Sequence, residues 1–228
     1  KGACRGECSD VVAPGYLPLV NKSFIVAGNA YTAEIFRRNG MRCDAVAELG
    51  VDTEGTFYPA EEYPPGPLRL ITTAAWASSA FKGMHVLRAA LEGAGIEVET
   101  VTGQPRQAVA EALRRAHVYV FPSTYEETFG IGLCEAMATG LACVASDVAG
   151  ARAQIVHGET GWLVPPRDPA ALRDAIAYLL ARPELVRTLG AAARAHTARE
   201  HSLEAMAWRW QTVYRQAIAS SKKEMITA

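Results

Sequence analysis

Glu127 and Glu135 stand eight positions apart in "ETFGIGLCEA", residues 127–136, with a glycine-punctuated apolar run between them. A carboxylate set in such a run loses on the order of several kcal/mol of hydration unless polar groups meet it. On a helical wheel Ile131, Cys134 and Ala138 face one way, and Glu135 falls about 40° from Ile131, on the flank of the expected buried face. "ETFGIG" reads as the loop from the carboxyl end of a strand to a helix N-terminus, where open α/β sheets bind ligands. Gly130 and Gly132 would let a ligand approach the backbone, and the first-turn N–H groups with the helix dipole suit a phosphate. A carboxylate can accept two hydrogen bonds from a vicinal diol. Glu135 on a ribose and Glu127 on the hydroxyls of a second sugar, flanking a diphosphate, would together describe a nucleotide sugar.

The elements that must position these residues are readable from the pattern. "SFIVAG" (23–28), "LRLITTA" (68–74), "IEVETV" (96–101), "HVYVFPS" (117–123) and "ACVAS" (142–146) are apolar strand-like runs, and an amphipathic segment follows each of the first four. That alternation predicts βαβ units in an α/β, Rossmann-like, doubly wound parallel sheet whose strands are covered on both faces. Gly93, Gly95 and Gly140 close helices. Asp168 followed by Pro169 opens one, and Leu172, Ala175, Ile176 and Leu179 give it a single apolar stripe. Pro183 restarts a helix to about residue 199. A last helix, from about residue 202 to 220, carries Trp208, Trp210 and Tyr214, and "SSKKEMITA" is expected to fray. "EEYPPGP" (61–67) reads as the linker between a short front piece and the main α/β run.

Bulk composition bounds the function. The chain has 228 residues with 50% hydrophobic residues and a formal net charge of −1, so no global field favours nucleic acid or an anionic membrane. Five cysteines without a framework pattern suggest reduced thiols and a cytoplasmic location, at most peripheral to a membrane. Cys4 and Cys8 are read as a pair of thiols rather than a metal site. His85, His117, His157, His196 and His201 lack ligand spacing and are expected at the surface or in caps, so no metal is assigned. No G-x-G-x-x-G follows the first strand, and Ser123 has no nucleophile elbow around it.

"PSTYEETFGIGLCEAMATGLACVASDVAG" resembles the donor-binding signature of family 4 retaining glycosyltransferases of the GT-B fold. "HGETGWLVPPRD" (157–168), "LGVDTEGTFYP" (49–59) and "FKG" (81–83) resemble further blocks of that family, in its order. The resemblance implies the C-terminal half of a GT-B enzyme. Glu127 would touch the donor sugar and Glu135 the ribose. Phe129, Gly130 and Ile131 would offer backbone amides, with Gly132, Ser123 and Thr124 also in the donor site. Lys82 would neutralise the leaving diphosphate, and Glu127 and Lys82 would be the catalytic pair. No cofactor or metal is implied beyond the nucleoside-diphosphate sugar itself.

Two positions depart from the family pattern. Ala77 stands where an arginine is usual, and Gln154, in "AGARAQ", stands near an expected glutamate, with Arg152 close enough to reach a phosphate. The expected organisation is a remnant of the acceptor-side domain in residues 1–46, a nucleotide-sugar-binding domain in 47–205, and a crossing helix and tail in 206–228. The length suggests a fragment of a longer enzyme, or a half that needs an acceptor-binding domain from elsewhere. A sugar, glycan, lipid or small molecule would be the acceptor. Two other readings are a nucleotide-sugar-binding module without transfer activity and a GT-B sugar-nucleotide epimerase.

Overall fold

The computed structural model describes residues 21–74 and 80–227. Five strands form one parallel sheet: β3 (Leu70–Thr73), β4 (Val98–Val101), β5 (Val118–Phe121), β6 (Ala142–Ser146) and β7 (Trp162–Val164), in the order β4-β3-β5-β6-β7. A separate parallel pair, β1 (Val26–Ala27) and β2 (Ala45–Val46), flanks α1 (Ala30–Arg38) in the front piece. The remaining helices are α2 (Met84–Leu91), α3 (Arg106–Arg114), α4 (Ile131–Ala138), the single turn α5 (Ala149–Arg152), α6 (Pro169–Leu180), α7 (Pro183–Glu200) and α8 (Leu203–Thr227).

The sheet is covered on both faces because its strands alternate between two cores. Tyr119, Phe121, Cys143 and Ala145 join Leu113, Leu133 and Met137 on one face. Val118, Val120, Ala142 and Val144 meet Leu87, Leu172, Ile176 and Leu179 on the other. Every residue of β5 and β6 is buried, as a central parallel strand requires. The strand order reverses at β3: the chain runs through α2 to β4 on one side, then returns through α3 to β5 on the other. In open α/β sheets such a reversal, outside the carboxyl ends of the two strands (here β3 and β5), is where ligands bind.

Helix punctuation follows the sequence. Asp168 caps α6 by accepting from the Ala171 N–H (3.0 Å), with Pro169 at its first position. Asn29, 1% exposed, caps α1 by accepting from the Thr32 N–H (2.7 Å), and its amide also donates to the Thr128 carbonyl.

Three expectations change. The tail does not fray at residue 220: α8 continues to Thr227, since no glycine or proline interrupts it. Residues 61–67 do not divide the front piece from the sheet, because Val51 and Phe57, upstream of them, already lie in the main core. The proline stretch is tied to that body, with His117 Nε2 donating to the Pro64 carbonyl (2.9 Å) and Arg69 to the Pro65 carbonyl (3.2 Å). His117 is buried at 2% exposure rather than at the surface or in a cap, whereas His201, also buried at 1%, is the C-cap of α7. His117 Nδ1 accepts from the Arg69 N–H, which fixes its neutral tautomer.

Candidate active site

The two loops at the strand reversal are bolted to each other. A 3₁₀ turn at Ala80–Lys82 follows β3, and residues 122–130 follow β5. The Thr124 N–H donates to the Phe81 carbonyl (2.9 Å), and the Thr124 hydroxyl to the Ala80 carbonyl (3.0 Å). Gly83 makes the contact possible. It sits at φ +70°, and a Cβ there would lie 1.6 Å from the Pro122 carbonyl oxygen.

This packing brings Lys82 Nζ to 2.9 Å from Glu127 Oε1, and the Ser123 hydroxyl donates to the same oxygen at 2.9 Å. The Glu127 side chain is 8% exposed and that of Lys82 32%. Ser123 and Thr124 thus hold the lysine turn against the carboxylate loop.

The start of α4 lies beside that pair. Gly130 precedes it at φ +84°, and its carbonyl accepts from the Leu133 and Cys134 N–H groups. The N–H groups of Gly130 and Ile131 take no protein acceptor among the described residues. Ile131 is 50% exposed, not part of a buried face with Cys134 and Ala138. Its first residue is exposed and Gly132 half-buried, and from Leu133 onward every residue of the helix is buried. Gly132 answers a need of the protein's own packing: a Cβ would fall 2.7 Å from Thr73 Oγ1 and 2.9 Å from the Tyr119 hydroxyl.

The 126–130 loop is held from below by α5. Glu126 Oε2 accepts from the Ala149 N–H and from Arg152 (3.1 Å), so Arg152 is engaged by Glu126 and Asp147. The Gln154 amide donates to the Phe129 and Gly150 carbonyls. Gly150 lets the loop sit close, since a Cβ there would lie 2.7 Å from the Phe129 oxygen. The Phe129 ring is buried edge-on to His201 (5.5 Å between centroids), so Phe129 faces the loop with backbone only.

Glu135 is turned inward, at 9% exposure, and meets Arg106 Nη2 at 3.3 Å. Arg106 lies over the Phe57 ring (5.2 Å) at the start of α3, with its side chain 63% exposed. One mobile partner does not replace full hydration: burial pushes the Glu135 carboxyl up to about 7, against the pull of Arg106. The folded value exceeds the ordinary 4.5. Its stabilising contribution is therefore present below about pH 4.5 and is lost as pH rises through about 7. Compared with Glu135→Gln, the wild-type chain should lose on the order of 3 kcal/mol of stability between pH 4.5 and 8. Urea titrations at several pH values read this. His201, which burial lowers to about 4, pulls the opposite way but is common to both chains. A flat difference would show that the buried carboxylate ionises without cost.

Arg106, Glu126 and the amide of Gln154 are site-shaping groups that the sequence reading did not place. The signal for Arg106 is weak: an arginine after "GQP" gives no hint that it meets a carboxylate 29 positions on. Ala77, Cys4 and Cys8 lie outside the described residues. Among the described residues no three His, Cys, Asp or Glu side chains cluster as metal ligands. No helix there is long and apolar enough to cross a membrane.

Comparison with known proteins converges on this region. Residues 84–196 match the family described as glycosyl transferases group 1. The chain is 40% identical over 119 residues to a phosphatidyl-myo-inositol mannosyltransferase of Mycobacterium leprae, covering 52% of this chain and 32% of that protein. It is 33% identical over 141 residues to the D-rhamnosyltransferase WbpZ of Pseudomonas aeruginosa, covering 50% and 37% respectively. It thus spans about a third of these relatives' length. Among solved structures it is similar to sucrose-phosphate synthase of Thermosynechococcus elongatus, with TM-score 0.74, 27% identity, and coverage of 86% of this chain and 58% of that one. The fold also matches HepE of Anabaena, solved with UDP and glucose (TM-score 0.70, 19% identity, 91% and 65% coverage). Residues 84–196 are thus similar to glycosyl transferases group 1, and the α/β fold that carries them is of the GT-B type seen in sucrose-phosphate synthase.

Proposed function

We propose that the chain is the donor-binding part of a retaining, family 4 type transferase that moves a sugar from a nucleoside-diphosphate sugar to an acceptor held by a preceding domain. The observation that carries this reading is the Lys82–Glu127 pair fixed across the strand reversal, beside the open first turn of α4. In it the Gly130 and Ile131 N–H groups meet the diphosphate, and Lys82 offsets the charge that grows on the leaving phosphate as the glycosidic bond breaks. Glu127 accepts hydroxyls of the donor sugar and Glu135 the ribose diol. The leaving diphosphate takes the acceptor's proton, so this half needs no protein general base. No cofactor enters the reading, and the free thiols of Cys43, Cys134 and Cys143 agree with a cytoplasmic setting. Support comes from relatives named as mannosyl- and rhamnosyltransferases and from a fold neighbour solved with UDP-glucose. These names favour transfer over a silent binding module or an epimerase.

Calorimetry with UDP, GDP and their sugars tests the assignment. Glu135→Ala should weaken nucleotide binding by about 1–3 kcal/mol, the cost of unpaired ribose hydroxyls. Glu127→Ala should leave nucleoside-diphosphate affinity near wild type while turnover of the sugar nucleotide falls. The reverse pattern would exchange the two roles, and a wild-type chain that binds no nucleotide would overturn the reading.

A further inference from the structure

We infer that Gln154 is a positioning residue that orients the Phe129–Gly130 peptide, and with it the Gly130 N–H at the mouth of α4. Gln154 is 1% exposed, and its Nε2 faces two acceptors, the carbonyls of Phe129 and Gly150. Only the NH₂ end of the amide can face two carbonyl oxygens, so the side-chain orientation is fixed by chemistry. That leaves Oε1 buried without a partner. Leucine or methionine would fill the same space without an unsatisfied oxygen, so the amide costs stability that packing alone does not require. What the amide does is draw the Phe129 carbonyl toward α5. In a trans peptide the following N–H points the opposite way. The Gly130 N–H is thereby aimed away from α5, with no protein acceptor among the described residues.

Neighbouring groups reinforce the same geometry. The absent side chain of Gly150 lets the Phe129 and Glu127 carbonyls approach α5, and Glu126 holds the front of the loop on the Ala149 N–H. At position 154 a carboxylate would face the same two carbonyl oxygens with like partial charge, and only when protonated, with its single O–H, could it donate to the Phe129 carbonyl. The inference rests on the reading that the start of α4 meets the donor diphosphate, but its structural half is separable from that reading.

Two variants in the full chain test it. The Phe129 carbonyl ¹³C resonance, measured without ligand, should move in Gln154→Leu at every pH. In Gln154→Glu it should move at pH 8.5 and return toward wild type at pH 5.5. UDP and GDP affinities should fall about tenfold in Gln154→Leu, one hydrogen bond to a charged group, while uridine and guanosine affinities stay unchanged. Gln154→Glu should show the same loss relative to wild type at pH 8.5 and recover at pH 5.5. An unmoved carbonyl resonance in both variants overturns the inference, as does equal loss of nucleoside and diphosphate affinity, which marks general damage. If the wild-type chain binds neither UDP nor GDP, the donor-site reading fails, and the carbonyl resonance still decides what Gln154 orients.

Discussion

Gly83→Ala should cost about 3–5 kcal/mol of stability, read as a fall in the urea midpoint. Two independent penalties meet at this residue. Its left-handed conformation, φ +70°, costs a residue with a Cβ about 1–2 kcal/mol. The added atom would also lie 1.6 Å from the Pro122 oxygen and 2.6 Å from its carbonyl carbon, and neither can swing aside as a side chain would. The overlap can be relieved only by parting the turn after β3 from the loop after β5. Those are the segments that hold Lys82 against Glu127, so the loss of stability should come with a loss of turnover. Gly95→Ala makes a control: the same left-handed backbone (φ +65°) in open space, where only the conformational penalty applies. Equal midpoints for the two variants would mean the close approach at Gly83 carries no cost.

Lys82→Met should reduce turnover by about 10²–10³-fold, the usual effect of deleting a preorganised group that meets developing charge. It should also destabilise the free chain by about 1–3 kcal/mol, because among the described residues Glu127 then keeps the Ser123 hydroxyl alone as a partner while still buried. The two effects separate in the double variant Lys82→Met/Glu127→Gln. Removing both charges together should restore most of the stability, as neutral replacement of a shielded ion pair generally does. Turnover should remain lost. If the double variant regained turnover with stability, the lysine would be holding the fold and nothing more.

The sheet was legible from sequence because burial on both faces leaves a simple trace: apolar runs of four or five residues such as "VYVF" and "ACVAS", with glycine and proline punctuation. The inward turn of Glu135 was legible in part: the wheel set it on the flank of a face it expected to be buried, although Ile131, the nearest member of that face, is exposed. The position of Ile131 was not. A wheel treats all turns of a helix alike, whereas α4 is exposed at Ile131 and buried throughout from Leu133 onward. Nor could spacing reveal what Gly132 and Gln154 do. Gly132 answers to Thr73 and Tyr119, and Gln154 to Phe129, contacts between elements that periodicity within one segment cannot register. His117 failed for a related reason: it looks like a polar residue at a segment end, yet it is buried between the Arg69 N–H and the Pro64 carbonyl.

Asn29 caps α1 with one end of its amide and grips the Thr128 carbonyl with the other, while a methyl-sized atom on adjacent Gly28 would meet the Thr128 side chain at 2.6 Å. The front piece and the carboxylate loop are consequently geared together. Any rotation of one against the other by more than about half an ångström must either drag Thr128 along or snap that link. Torque applied to α1 is felt one residue away from Glu127.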